Sequence, residues 1–554
     1  MKKIYLKVMK NKISGQAIFK SWIILTFFLI TSNGVSQEKL IYHDIQTDKE
    51  GNIIPWYDKD PGKSFDHVID LVWNFWDTMR IDMNGLPYYM NHQVWEEEYN
   101  DRRGIGGDQL QMALSAWRLL YAYTGNERVK ANMCFMADYY LSHSLSKPGD
   151  KWPDIPYPYN TLIYSGEYDG DMVIGKNFTQ PDKAGSFGYE LMNLYKITGL
   201  KVYLDAVINI ANSLASHTGK GDYSSSPLPF KVNAITGEAG TLIKEINDPA
   251  PVASSTYTSN WAPTLCLFLE LQKMKKGQPD SYGSAFEMIL QWMMEFPLQN
   301  NRWGPFFEDV PGWSDTQMNA MTFARFIMEH REYFPDWRVN VKSIIDWVYK
   351  RLGNRTFEKY GVVVINEQTA YEVPGNSHTS RQGADELLFI KLTGDSSSYK
   401  NALRQLVWST YMVNDDGKNR YPNDENWLTD GYGDYVRHYL RAMAADSTLA
   451  PSAENHILSS TSVIQQADYH GRNNKKLWNE NDKEVTRKPL IHYRTFDKEG
   501  TEVIRMVKKP SGVLLDEKPM VEKSNGEGYT WQSLGTGGIL NINRLNGNRV
   551  HILN

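Results

Sequence analysis

Apolar residues recur at helical spacing along most of the first 450 positions, and they recur as paired helices. After Gly107-Asp108-Gln109, the apolar positions Leu110, Ala113, Leu114, Trp117 and Tyr121 fall on one face of a helix that Tyr123-Thr124-Gly125 stops. A second helix is predicted from Asn126 to about His143. The pattern returns from Phe187 through Leu191, Leu194 and Tyr195 to Thr198-Gly199, followed by Leu200 to His217. It returns again from Ala384 to Thr393-Gly394, followed by Asp395 to Val413. Glycine at each stop suits a left-handed cap, where a Cβ is penalised. Less regular copies run from Trp261 to Gly277 and on to about Phe296, and from Thr316 to about Leu352 with Pro335 at the turn. With Phe65 to Met79 before them and Tyr432 to Met443 after, the pattern predicts about six or seven hairpins. Such pairs bury their apolar faces only on neighbouring pairs, so a ring or solenoid is expected.

After about Ala450 the period changes from helical to alternating. Ile491 to Phe496, the turn Asp497-Lys498-Glu499-Gly500, and Val503 to Val507 read as strand, turn, strand. Gly537 to Asn543 and Val550 to Leu553 repeat the signature. The predicted organisation is therefore a secretory signal over 1–36, a helical toroid over 37–450 and a β-rich module over 451–554. The signal rests on Met1-Lys2-Lys3 ahead of the short apolar run Trp22 to Ile30, which is too short to span a bilayer. No Cys follows that run, so no lipid or membrane anchor is expected, and export to the periplasm or the medium is.

Charge narrows the partners. Sixty basic against 65 acidic residues give a net charge of -5, which disfavours nucleic acid as a ligand. The two cysteines, Cys134 and Cys266, sit within apolar helical patterns and read as packing residues. With 17 Trp and 33 Tyr, the chain is well supplied with flat amphipathic faces, which suit stacking on sugar rings.

Those aromatics concentrate in the long polar loops that precede each first helix, whereas turns within hairpins are short. Long ordered loops on one side of a scaffold commonly carry function. Two of them share wording: Asp309-Val310-Pro311-Gly312-Trp313-Ser314-Asp315 and Glu372-Val373-Pro374-Gly375-Asn376-Ser377-His378. Asp315 and His378 are thus expected at one mouth of the ring. Asn376, His378 and Arg381 read as a loop group placed just ahead of a helix. Other loops offer Asn160, Tyr164, Glu167, Asp169 and Asp171; Tyr257, Asn260 and Trp261; Trp427, Asp430, Tyr432, Asp434 and Tyr435; and His92. Asp108 and Asp434 also suit helix caps, and Glu96-Glu97-Glu98 a solvated face. Asp169 and Asp171 resemble half of a calcium loop, but no full ligand ladder follows. No metal and no cofactor are expected.

Helical hairpins with a trailing β module resemble the (α/α)-toroid carbohydrate-active enzymes, among them several polysaccharide lyase families and the unsaturated glucuronyl hydrolases. The likeness covers about residues 60 to 450. An exported enzyme of this build also resembles the lyases and oligosaccharide dehydratases that act on ulvan, a sulfated rhamnose and glucuronate polymer. The resemblance implies an (α/α)6-type toroid and β-elimination on an acidic polysaccharide or oligosaccharide. It implies Tyr and His around a uronate whose carboxylate is neutralised by Asn, His or Arg. Removing the C5 proton builds charge on that carboxylate, so a fixed cation or amide donor must face it. On this sequence, Asn376 and Arg381 are expected to hold the carboxylate and His378 to act as base or neutraliser. Tyr257 or Tyr164 would be the acid. Asn260, Trp261, Trp313, Asp315, Tyr432, Trp427 and His92 are expected to line the substrate. Two other readings stay open. One is a hydrolase drawing on Asp169, Asp171, Glu308, Asp315 or Glu372. The other is a glycan-binding protein without catalysis.

Overall fold

The structure, a computed structural model, describes residues 38–91, 106–162, 165–245, 248–307, 312–420, 432–470 and 489–554. The expected signal, His92, Tyr164, Glu308 and Trp427 lie outside the described residues. Of Tyr432 and Asp434 only the backbone is described. Lys39–Asn554 forms one compact unit.

Twelve long helices among the described residues build a double ring. In chain order they are α1 (Pro61–Asp77), α2 (Gly107–Thr124), α3 (Glu127–His143), α4 (Pro181–Thr198), α5 (Lys201–His217) and α6 (Ala262–Met274). There follow α7 (Pro279–Glu295), α8 (Gln317–Glu329), α9 (Trp337–Leu352), α10 (Asn376–Thr393), α11 (Tyr399–Thr410) and α12 (Tyr432–Ala445). Contacts run α2 to α4, α6, α8, α10, α12 and back to α2, which closes an inner ring of six. The outer ring is α3, α5, α7, α9 and α11, each packed on the inner helix before it, with α1 from the start of the chain packed on α12. The chain is a mainly helical (α/α)6 toroid followed by a β module. Because every inner helix is joined to the next through an antiparallel outer one, all six inner helices run in the same direction. Their N-termini share one mouth.

The predicted Thr-Gly stops are present. Gly125, Gly199 and Gly394 cap α2, α4 and α10 at φ of 66, 73 and 79°. At Gly125 a second constraint adds to the first, since a Cβ there would meet the Ala467 carbonyl oxygen at 2.6 Å.

Two helix starts differ from the sequence reading. α4 begins at Pro181, not Phe187, and α10 at Asn376, not Ala384. Their first two turns carry polar residues that point into the ring interior and are buried there, so the apolar period does not reveal them. Asn376, His378 and Arg381 consequently stand on a helix and not in a loop. The partner of α10 is also shorter than predicted: α11 spans Tyr399–Thr410.

The β module is a pair of antiparallel sheets. Its strands are β1 (His456–Ser460), β2 (Ile464–Tyr469), β3 (Pro489–Thr495), β4 (Gly500–Met506), β5 (Gly512–Leu515), β6 (Lys518–Pro519), β7 (Gly528–Ser533), β8 (Gly538–Arg544) and β9 (Arg549–Leu553). One sheet runs β1-β4-β8-β7 and the other β2-β3-β9-β5-β6. Ile491, Tyr493, Ile504, Leu540, Val550 and Ile552 fill the space between them. A bidentate pair, Arg544 to Glu502 at 2.7 and 2.9 Å, is buried in the same module and accepts a further hydrogen bond from Tyr493. β1 and β2 lie against α2, and Tyr469 donates to the Ala122 carbonyl at 2.6 Å. The module thus packs on α2, α4 and α12, at the end of the ring opposite the mouth.

Candidate active site

The mouth is where polar side chains go underground. On the first turn of α4, Asp182 is fully buried. Its Oδ2 accepts from Asn260 Nδ2 at 2.9 Å and from Lys183 Nζ at 3.0 Å. Its Oδ1 has no hydrogen-bond donor. Lys183 also donates to the Phe306 carbonyl at 2.9 Å and lies 3.4 Å from the centre of the Phe306 ring. An acceptor left unmet in a dry interior is costly, by roughly 1–3 kcal/mol, and the cost ends when a ligand hydroxyl donates to it.

Across the mouth, on the first two turns of α10, His378 and Arg381 are one helical turn apart and both buried. His378 Nδ1 is 3.5 Å from Ser377 Oγ, and its ring is 6.0 Å from that of Phe307. Gly375 makes this placement possible, because a Cβ at that position would lie 2.4 Å from His378 Nδ1. Arg381 Nη1 donates to Gln317 Oε1 at 2.7 Å, and Gln317 Nε2 donates to the His378 carbonyl at 3.2 Å and to Gln382 at 3.3 Å. Gln382 continues to Glu386 at 2.8 Å, which accepts from Tyr349. Burial pushes the Glu386 carboxyl above the usual carboxylate range. Gln317 is therefore the clamp that joins α8 to α10, holding the Arg381 guanidinium and the His378 backbone. The segment Phe306-Phe307 crosses between the two halves, and Met112 and Met318 pack against it.

The remaining predicted residues divide. Asn376 donates to Asn419 at 2.6 Å at the start of α10. Asn260 belongs to the Asp182 group. Trp261 is fully buried, with Nε1 donating to the Thr258 carbonyl at 2.7 Å, and it packs the ring instead of facing the mouth's polar group. Tyr257 donates to the Arg302 carbonyl at 2.6 Å, and burial pushes its phenol well above the usual range. As placed, it is a poor proton donor to a sugar. Asp315 stands at the same mouth as His378, its carbonyl accepting from Thr369 N at 3.0 Å. Its carboxylate is spent on structure: Oδ1 accepts from the amides of Trp303 and Gly304 at 2.8 and 2.9 Å, and Oδ2 from Trp313 Nε1 at 3.0 Å. Asp169 and Asp171 are likewise paired, with Lys176 and Lys231, each at 3.0 Å. Glu372 is exposed. Among the described residues no group of His, Cys, Asp and Glu is arranged to hold a metal.

The sequence reading missed Asp182, Lys183, Gln317 and His438, a buried imidazole on α12. The signal for Asp182 was local: Pro181 in the first helical position followed by an acid, a common helix opening.

No family model matches the chain, and no curated protein matches it. Among solved structures, cellobiose 2-epimerase from Spirochaeta thermophila superposes with a TM-score of 0.51 at 11% identity, over 70% of this chain and 97% of that one. A D-mannose isomerase superposes with a TM-score of 0.50 at 11% identity, over 71% of this chain and 99% of that one. Similarity at this identity is a similarity of fold, the (α/α) toroid. It does not carry a reaction.

Proposed function

We propose that the chain is a carbohydrate-active enzyme that takes a proton from a uronate unit of an acidic polysaccharide or oligosaccharide and eliminates the group at C4. The observation that carries this reading is the pairing of His378 with Arg381, buried one turn apart and locked by Gln317. Arg381 would neutralise the carboxylate on which charge builds, and His378 would take the C5 proton. The imidazole is sealed from water, so a substrate that reaches it must displace what covers it. A closed site of this kind strengthens each electrostatic contact made within it. Ulvan is one polymer with the required uronate.

A second reading has its own observation. Asp182 offers a buried carboxylate oxygen with no donor, which suits acid–base help to a water in hydrolysis. One assay separates the two. Elimination creates a C4–C5 double bond conjugated with the carboxylate, so ultraviolet absorbance rises on saturated uronate polymers. Hydrolysis of saturated chains releases reducing ends with no rise, and hydrolysis of an unsaturated uronide removes the chromophore. Arg381→Met is expected to cut the rate of rise at least tenfold, through loss of the charge-assisted contact. Reducing ends without any change in absorbance would overturn elimination.

A further inference from the structure

Outside the His378 and Asp182 groups, the guanidinium of Arg302 at the mouth end has no carboxylate partner among the described residues. Arg302 lies just past the end of α7, and its guanidinium is enclosed by three aromatic rings. The ring centroids are 3.5 Å away at Trp313, 4.6 Å at Tyr223 and 5.1 Å at Tyr257. Among the described residues no carboxylate pairs with it, and its Nε is buried with no acceptor. The nearest carboxylate by position, Asp315, is already committed to two backbone amides and the Trp313 indole. A half-buried guanidinium that meets aromatic faces but, among the described residues, no carboxylate retains donors for an anionic group.

The box around Arg302 is rigid. Trp313 is fixed by its hydrogen bond to Asp315. Tyr257 is fixed by its bond to the Arg302 carbonyl and by edge contacts with Trp292 and Trp313. The Tyr223 loop is turned by Asp222 Oδ1, which accepts from the amides of Ser224 and Ser225, and tied down by Trp292 Nε1 on the Asp222 carbonyl at 2.9 Å. Gly304 lets the chain pass, since a Cβ there would meet the Tyr257 ring at 2.6 Å. Yet the box is open. Trp313 is 40% exposed and Tyr223 52% exposed, so two pre-ordered aromatic faces flank one cation at the surface.

From these contacts we infer that Trp313, Tyr223 and Arg302 form an outlying subsite for an anionic unit of a saccharide chain. The pyranose would stack on the aromatic faces while its carboxylate or sulfate ester meets the guanidinium, which binds such groups through paired N–H donors. The subsite lies on the same end of the toroid as the candidate active site. Residues 302 to 306 run from one to the other, and at no more than ~3.5 Å per residue they span at most about 14 Å, a gap an oligosaccharide bridges. This inference rests on the saccharide reading above but not on the reaction. It holds for elimination and hydrolysis alike.

The test is binding of three hexasaccharides to the full chain, followed by calorimetry at low and high salt: a β-1,4-glucuronate hexamer (carboxylate), a carrageenan hexamer (sulfate) and cellohexaose (neither). Arg302→Met keeps the stem volume and removes the charge. It is expected to weaken the acidic hexamer that fits by about tenfold, to lower the salt dependence of that binding, and to leave cellohexaose unchanged. Tyr223→Ala, at an exposed position, is expected to weaken acidic and neutral hexamers alike, and it serves if Arg302→Met does not fold. Loss on the glucuronate arm assigns a carboxylate, and loss on the carrageenan arm a sulfate ester. The subsite is overturned if Arg302→Met leaves acidic binding and its salt dependence unchanged, or if Tyr223→Ala alters no hexamer. Binding that survives those variants while His378→Ala abolishes turnover would sink the subsite alone. A wild-type chain that binds none of the three sinks the saccharide reading with it.

Discussion

The two ends of the inner ring are made of different materials. At the mouth, the buried polar groups are mostly amides and an imidazole around one ion pair: Asn260 and Lys183 on Asp182, and Gln317 between His378 and Arg381. At the opposite end, charges of both signs meet across neighbouring helices. Arg118 pairs with Glu190 at 3.2 Å, and Arg325 with Asp385 at 2.6 Å and Glu329 at 3.0 Å. Arg441, on α12, is crowded by protein and faces Arg325 and Arg437; desolvation and those two cations bring its pKa down to about 9. These ion pairs tie neighbouring inner helices to one another, so they serve the fold. The mouth keeps an acceptor unmet at Asp182, so it has capacity left for a ligand. Polar burial alone does not distinguish structure from function; what the buried groups are paired with does.

Substitutions at the two ends should therefore separate activity from stability. His378→Ala is expected to lower turnover on a uronate substrate by ~10²–10⁴-fold while the thermal midpoint stays near that of the wild type. Rates from ultraviolet absorbance and midpoints from calorimetry test both halves. Asp385→Ala removes the buried partner of Arg325 and leaves it only the more exposed Glu329, and is expected to cost about 3 kcal/mol of stability, with activity per folded molecule retained. Loss of activity without loss of stability in Asp385→Ala would erase the contrast between the ends. Gly375→Ala is a subtler probe, because the new methyl would press on His378 Nδ1. A displacement of about 1 Å is worth ~10²-fold in rate. Turnover is expected to fall by up to that factor, with recovery in none of the pH range if the cause is position and not ionisation.

Much of this architecture is legible in the chain. The Thr-Gly stops mark three of the inner helices because a left-handed cap admits little else, and the matched Pro-Gly wording before Asp315 and His378 puts both at one mouth. What escaped has a common physical cause. The opening turns of α4 and α10 face a polar interior, so Pro181 to Ser186 and Asn376 to Gly383 are buried without being apolar. A reading based on apolar period starts each helix late and takes the catalytic candidates for loop residues. Asp182 is hidden by this. The sequence also cannot show which acid is already spent: Asp315 and Asp171 look as available as Asp182, and only the folded chain shows amides on one and Lys231 on the other.

The smallest effect tests the seam between the β module and the ring. His456, the first residue of β1, is buried against α2, its ring stacked 3.7 Å from that of Tyr123 and its Nδ1 3.1 Å from the Tyr123 carbonyl. A carbonyl only accepts, so Nδ1 carries the proton of a neutral imidazole. Burial disfavours the charged form and Asp66 only partly offsets it, with Arg505 adding to the penalty, so the pKa falls from 6.5 to about 4. Above pH 6.5 the imidazole is neutral in both folded and unfolded chains, and stability is unaffected. As pH falls from 6.5 to about 4 the unfolded chain takes up the proton first, and stability is lost progressively. Below about 4 both forms are charged and the loss is constant. At ~1.4 kcal/mol per pKa unit the full loss is about 3 kcal/mol. His456→Gln should flatten this limb of the denaturation profile between pH 6.5 and 4 relative to the wild type, whatever the other histidines contribute to both. Parallel profiles over that range would mean that the β module does not hold His456 neutral against the ring.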